Sequence, residues 1–147
     1  MLIRIIFIST LITAIFGLLP AETLHLFIAG DTYSNLESQV SKDVALIQEQ
    51  GVRLAKELGF ACHYSIFTGE EAAREIILST IRRQNFEKED LVLFYFSGHG
   101  YRTKEKQSRW PNLYFTPGDH GMELDEVIHV LQEKSPRFAL VIADCCN

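Results

Sequence analysis

The 147-residue chain has no run of lysine and arginine longer than Arg82-Arg83, and its net charge is −5. Phosphate neutralisation supplies most of the affinity for nucleic acid, so an acidic chain without a basic stripe argues against that class of partner. Cysteine is scarce: Cys62, Cys145 and Cys146. An odd number, two of them adjacent, does not make a disulfide framework. There is no glycine-rich phosphate loop of the Walker or dinucleotide type, which leaves nucleotide chemistry without a foundation. Internal repeats and low-complexity tracts are missing too. What remains is a balance of 47% hydrophobic and 22% charged residues, that of a globular domain with a core rather than a disordered segment.

The N-terminus departs from that balance. Arg4 is followed by an uncharged, mostly apolar run over 5–19, then Pro20-Ala21 and the first acid, Glu22. A charged start, an apolar middle and a small residue at the cut is the order of a secretory signal peptide. Fifteen residues also fall short of the roughly 20 that span a bilayer as a helix. The expectation is a signal over 1–21, cleaved after Ala21, and a domain over 22–147 with a charge of −6. The protein would be exported: periplasmic, secreted, or anchored by an uncleaved signal.

Beyond this segment two hydrophobic periods alternate. Residues 23–29 are short, mostly apolar and end in the turn Gly30-Asp31, predicting a strand. Ser34-x-x-Glu37 spells a capping box. Behind it Leu36, Val40, Val44, Ile47, Gly51, Leu54 and Leu58 recur at spacings of four and three, and Gly59 closes the pattern. Residues 60–67 read as a second strand. Thr68-x-x-Glu71 spells another capping box, ahead of a helical face made by Ala73, Ile76, Ile77, Thr80 and Ile81. The run 91–96, LVLFYF, shows no alternation and predicts a strand buried on both faces. Residues 101–117 read as a long polar loop with a short strand over 113–116. Leu124, Val127, Ile128 and Leu131 mark a third helix that ends at Ser135-Pro136, and 138–143 read as a last buried strand. Strands and helices in strict alternation predict an α/β domain, a parallel sheet with helices on both faces.

Ligands of such sheets bind outside the carboxyl ends of the strands. Ser97-Gly98-His99-Gly100 follows one apolar strand, and Asp144-Cys145-Cys146-Asn147 follows another. A His and a Cys thus leave the same sheet edge, 47 residues apart. Only the thiolate attacks a carbonyl, and imidazole titrates where it can take the thiol's proton and later return it to a leaving amine. Glycines flanking His99 permit a sharp turn and a close approach. The amides of Gly100 and of the nucleophile could face a developing oxyanion.

Phe-Ser-Gly-His-Gly after one strand and Asp-Cys-Cys after the next resemble the caspase-like cysteine peptidases, and most of all their metacaspase-type and bacterial members. The spacing also matches the caspase pattern, with the His about 50 residues before the Cys. The resemblance covers about residues 23–147. It implies a three-layer sandwich with a mainly parallel sheet, the large-subunit part of that fold, truncated after the strand that carries the Cys. It assigns His99 as base and Cys146, third in the Asp-x-Cys string, as nucleophile, with Gly100 at the oxyanion. Where animal caspases spell Gln-Ala-Cys, this chain has the metacaspase-type Asp144. In that group this Asp and an acid from the first helix, matched here by Asp43, line the pocket for a basic side chain. Two carboxylates would favour Arg or Lys before the cleaved bond through charge-assisted bonds. Asp43 lies about 60° from the centre of the helical stripe, at roughly 100° per residue, on the rim of the buried face.

The family's fold continues with a small-subunit part and a Ser-Gly shortly after the Cys. The resemblance therefore implies a peptide or protein substrate plus a small-subunit-like chain or a second copy. The alternative is an inactive caspase-like fragment or a peptide-holding pseudo-peptidase. No cofactor and no metal are expected, since adjacent cysteines serve one tetrahedral zinc site badly. Cys62 reads as core, and His25 and His63, within strands, as structural. Asp119-His120, in a glycine-bounded turn, receives no role. Tyr101, Arg102 and Trp110 follow the His loop, where substrate contact and a mobile surface loop are equal readings.

Overall fold

The computed structural model describes residues 22–118 and 120–146; the expected signal over 1–21 lies outside them. The elements run β1 (Thr23–Gly30), α1 (Glu37–Leu58), β2 (Ala61–Phe67), a 3₁₀ turn (Gly69–Glu71), α2 (Arg74–Arg83), β3 (Leu91–Ser97), β4 (Gly100–Tyr101), β5 (Asn112–Phe115), β6 (His120–Glu123), α3 (Leu124–Lys134) and β7 (Phe138–Asp144). Strands β2-β1-β3-β7 form one sheet in that order, every pairing parallel, as the βαβ alternation requires. Strands β4-β5-β6 form a small antiparallel sheet.

Side chains alternate between the two faces of the large sheet and feed two cores. Leu24, Leu26, Ile28 and Tyr95 meet Val40, Val44 and Ala55 of α1. Phe27, Ala29, Val92, Phe94 and Phe96 meet α2, α3 and the small sheet, through Ile77, Leu78, Val127, Leu113, Phe115 and Met122. This is a layered α/β architecture, a parallel sheet with helices on both faces.

Several local expectations need correction. Neither predicted capping box ahead of α1 or α2 forms. Ser34 instead turns back, donating its hydroxyl to the Asp31 carbonyl and accepting the Leu36 amide, so α1 begins only at Glu37. Thr68 opens the 3₁₀ turn without a side-chain cap, and α2 begins at Arg74. A reciprocal Glu123–Glu126 capping box does start α3, at a site where none was expected. The α1 stripe holds through Val40, Val44 and Gly51 and then drifts: Ala55 is buried while Leu54 and Leu58 are exposed. A straight helix has 3.6 residues per turn, so a pattern of fours and threes rotates out of the interface over 22 residues. Gly59 ends α1 in the left-handed conformation, as expected. The polar loop over 101–117 holds β4 and β5 as strands, and β6 starts at His120.

The last strand is not a buried one. β7 is the sheet's edge, with Phe138 56%, Leu140 44% and Ile142 38% exposed on the α1 side. α1 lies over β1 and β2 and stops short of this flank.

At the opposite end of the sheet from the motif loops, the His25 Nε2 donates to the Asp90 carboxylate at 3.0 Å, with both side chains buried. Asp90 also accepts the amides of Thr23 and Glu87. Burial pulls the Asp90 carboxyl up, and these hydrogen bonds outweigh it, holding the group below the ordinary carboxylate range. This is the structural role expected of His25; His63 is exposed.

Candidate active site

The two motif segments leave neighbouring parallel strands at one level. Ser97 of β3 is in register with Asp144 of β7, so His99 and Cys146 each lie two residues past a matched pair. The Gly98 amide extends the ladder by one bond, to the Asp144 carbonyl at 3.3 Å. Gly98 is needed there. Its φ is +156°, and a Cβ would stand 2.9 Å from the Phe96 ring and 3.0 Å from Asp31.

Gly100 makes the closest approach. A Cβ on it would run into the Cys146 carbonyl oxygen and the Cys145 Sγ. The Tyr114 amide donates to the His99 carbonyl at 2.9 Å. The Gly100–Leu113 pair is therefore of the non-hydrogen-bonded kind, and the Gly100 N–H points away from β5.

His99 is half-buried, and its Nε2 lies 2.7 Å from Oδ1 of Asn35, on the β1–α1 loop. With the amide oxygen accepting, Nε2 carries the hydrogen and Nδ1 keeps its lone pair. That bond holds the His99 ring toward Asn35; the structure does not pair the ring with Cys146, which is exposed. Cys145 faces the other way, toward the α2–α3 core. Burial, followed by the neighbouring Cys146 and Asp144, pushes its thiol up to about 11. Cys62 is half-buried against the α1-side core, as expected, and burial raises its thiol as well.

The two candidate specificity acids converge. Asp43 of α1 accepts the Ser97 hydroxyl at 2.9 Å, and Asp144 accepts the Tyr95 hydroxyl at 3.3 Å. Tyr95 and Ser97 lie two apart on β3, so both face α1, and register puts Asp144 on that face too. Burial, then the charges of Asp144 and Asp43, pushes the Tyr95 phenol up to about 12. A patch of two carboxylates capped by two hydroxyls thus sits on the α1 side of the motif ends.

Several residues here carried no signal in the sequence. Asp31 is fully buried and accepts both the amide (3.2 Å) and the hydroxyl (2.7 Å) of Thr116, fastening the small sheet to the end of β1. Asn35 and Tyr95 were likewise unread. His120 lies with His99, Gly100, Tyr101, Tyr114 and Gly121 around a cavity of about 450 Å³. A glycine-bounded turn gives little reason to expect that. Trp110 lines a different cavity, with Cys145 and the edge strand, and stacks under the Arg109 guanidinium.

Comparison with known proteins agrees with this layout. A family model described as a caspase domain matches residues 25–147, nearly the whole described chain. No curated protein matches.

Proposed function

The chain belongs to the caspase family of cysteine peptidases, and on that premise we propose that it is an endopeptidase that cleaves after Arg or Lys with a His99–Cys146 dyad. His99 Nδ1 takes the Cys146 proton, and the thiolate attacks the carbonyl carbon of the scissile bond. The tetrahedral oxyanion accepts the Gly100 N–H, which the strand pairing leaves free of β5. The imidazolium returns the proton to the leaving nitrogen, the C–N bond breaks, and a thioester remains. Water, deprotonated by His99, then attacks the thioester, and Cys146 departs as the protein's thiol with a carboxylic product. Asn35 acts as a positioning residue by holding the ring through Nε2.

One observation carries the specificity: Asp43 and Asp144, from elements 101 positions apart, meet on the Tyr95–Ser97 face beside the motif ends. A guanidinium or ammonium entering there exchanges hydroxyl donors for charge-assisted bonds. Hydrolysis of a peptide set varied at the residue before the cleaved bond tests this. Cleavage after Arg and Lys, lost in Cys146→Ala and His99→Ala, is expected; cleavage after Asp or no preference contradicts it.

The bare flank of β7 favours a second reading for the isolated chain. An edge strand with exposed Phe138, Leu140 and Ile142 is a surface that folded proteins cover. A small-subunit-like chain or a second copy would cover it and complete the groove, and without that cover the chain holds peptide without turning it over. Light scattering and hydrolysis measured over the same concentration series separate the two. The proposal also includes export by segment 1–21, for which N-terminal sequencing of the recovered protein is expected to start at Glu22.

A further inference from the structure

Resting on the dyad reading above, the geometry points to a second specificity pocket: the cavity lined by His99, Gly100, Tyr101, Tyr114, His120 and Gly121 receives the side chain immediately after the cleaved bond and selects an aromatic or large apolar one. The side of the bond follows from the chemistry. The group that protonates the leaving amine must come within hydrogen-bond reach of that nitrogen, so the residue carrying it lies beside His99. The acids that hold the preceding residue lie over the α1 face of the sheet. The cavity lies over the other flank, where the small sheet packs on the α2–α3 core. His99 lines the cavity and leaves β3 two residues past Ser97, whose hydroxyl binds Asp43.

The lining decides what fits. Tyr101 and Tyr114 meet edge to face, with ring centroids 6.4 Å apart. His120 lies 5.7 Å from the Phe115 ring, tilted by 33°, and its Nε2 accepts the Arg74 amide at 3.4 Å. An imidazole nitrogen that accepts a hydrogen bond belongs to a neutral ring, so His120 presents an aromatic wall rather than a charge. None of the described lining residues is a carboxylate, lysine or arginine. An adjoining cavity that shares Tyr101 and Gly121 is lined by Arg74 and Glu126, and there the Arg74 guanidinium binds the Glu126 carboxylate in a two-pronged pair. A charged side chain entering the aromatic cavity would lose water without gaining a partner, whereas a ring would find edge and face contacts. Gly121 makes the room: a Cβ there would strike the Tyr101 hydroxyl that lies against it. About 450 Å³ is within the usual size of a small-ligand pocket, roughly 300–1,000 Å³.

The test uses short peptides that mimic the leaving half of a substrate, so it does not depend on turnover. Phe-Gly-Gly-amide, Gly-Gly-Gly-amide and Asp-Gly-Gly-amide are titrated into the full chain while histidine imidazole resonances are followed by NMR. Moving a ring from water into an apolar, aromatic site is favourable. The Phe peptide is accordingly expected to shift His99 and His120 together and to bind at least about tenfold more tightly than the other two. Tyr101→Ala, on an exposed position, is expected to remove that preference, as is His120→Ala. Equal shifts with all three peptides, or none with any, overturn the pocket. Covalent labelling of Cys146 by a peptidyl-arginine electrophile, which has no residue after the reacting carbon, reports on the dyad separately.

Discussion

Asp43 and Ser97, 54 residues apart, are joined by a hydroxyl-to-carboxylate hydrogen bond of 2.9 Å that ties the first helix to the end of the central strand. With the Tyr95–Asp144 bond it gathers two negative charges on one face of the motif ends, and that gathering is what a basic substrate side chain would exploit.

Neutralising either acid should therefore cost specificity before it costs the fold. Asp43→Asn and Asp144→Asn are each expected to lower kcat/KM for cleavage after Arg by about 10- to 100-fold, from the roughly 1.5–3 kcal/mol of a hydrogen bond to a charged group. The quantity to measure is the ratio of kcat/KM for Arg and Gln substrates. A ratio unchanged in both variants would remove the acids from the pocket.

Burial, reinforced by the same two charges, pushes the Tyr95 phenol up to about 12. Of the five tyrosines, one should ionise late in an absorbance titration, and Asp144→Asn should bring it down. The linkage has a definite sign. The native state keeps this proton above the ordinary value near 10, so the stability it contributes is whole below pH 10 and is lost as pH rises toward 12.

The adjacent cysteines should differ in reactivity. With its thiol pushed up to about 11 by burial and by its neighbours Cys146 and Asp144, Cys145 carries little thiolate at pH 8. Alkylation with iodoacetamide, mapped by mass spectrometry, should reach Cys146 well before Cys145. Faster modification of Cys145 would reverse the assignment of the nucleophile.

Asp90 gives a stability prediction far from the chemistry. Its carboxylate takes two backbone amides and the buried His25 ring, and is held below the ordinary carboxylate range despite burial. A depressed carboxyl contributes stability that is full above its unfolded value, near 3.9, and is lost as pH falls through the folded one. Asp90→Asn should cost about 3 kcal/mol at pH 7 and flatten the acid limb, both read from urea unfolding across pH 2–7.

The fold was legible because its signal is periodic. LVLFYF, the α1 stripe and Gly59 each declare an element, and their alternation leaves few topologies besides a parallel sheet. The motif segments were legible for the same reason: both directly follow strands that belong together. Cap chemistry was not: Ser34 donates its hydroxyl to the Asp31 carbonyl and accepts the Leu36 amide, closing a turn ahead of the helix that begins at Glu37. Nor was the exposure of β7, since an apolar strand reads alike in the centre and at the edge; what differs is whether a neighbour covers it. Asn35, Asp31 and His120 were unreadable because their partners are 46 to 85 residues away, and no local pattern names a partner at that distance.

The central claim is that His99 activates Cys146, and covalent capture measures it most directly. The full chain, kept reduced, is treated with a peptidyl-arginine electrophile, and the modified residue is read by mass spectrometry beside Cys146→Ala and His99→Ala. The account predicts labelling at Cys146, lost in both variants, with Cys62 and Cys145 left untouched. Labelling of Cys146 no faster than Cys62, or undiminished in His99→Ala, would contradict it.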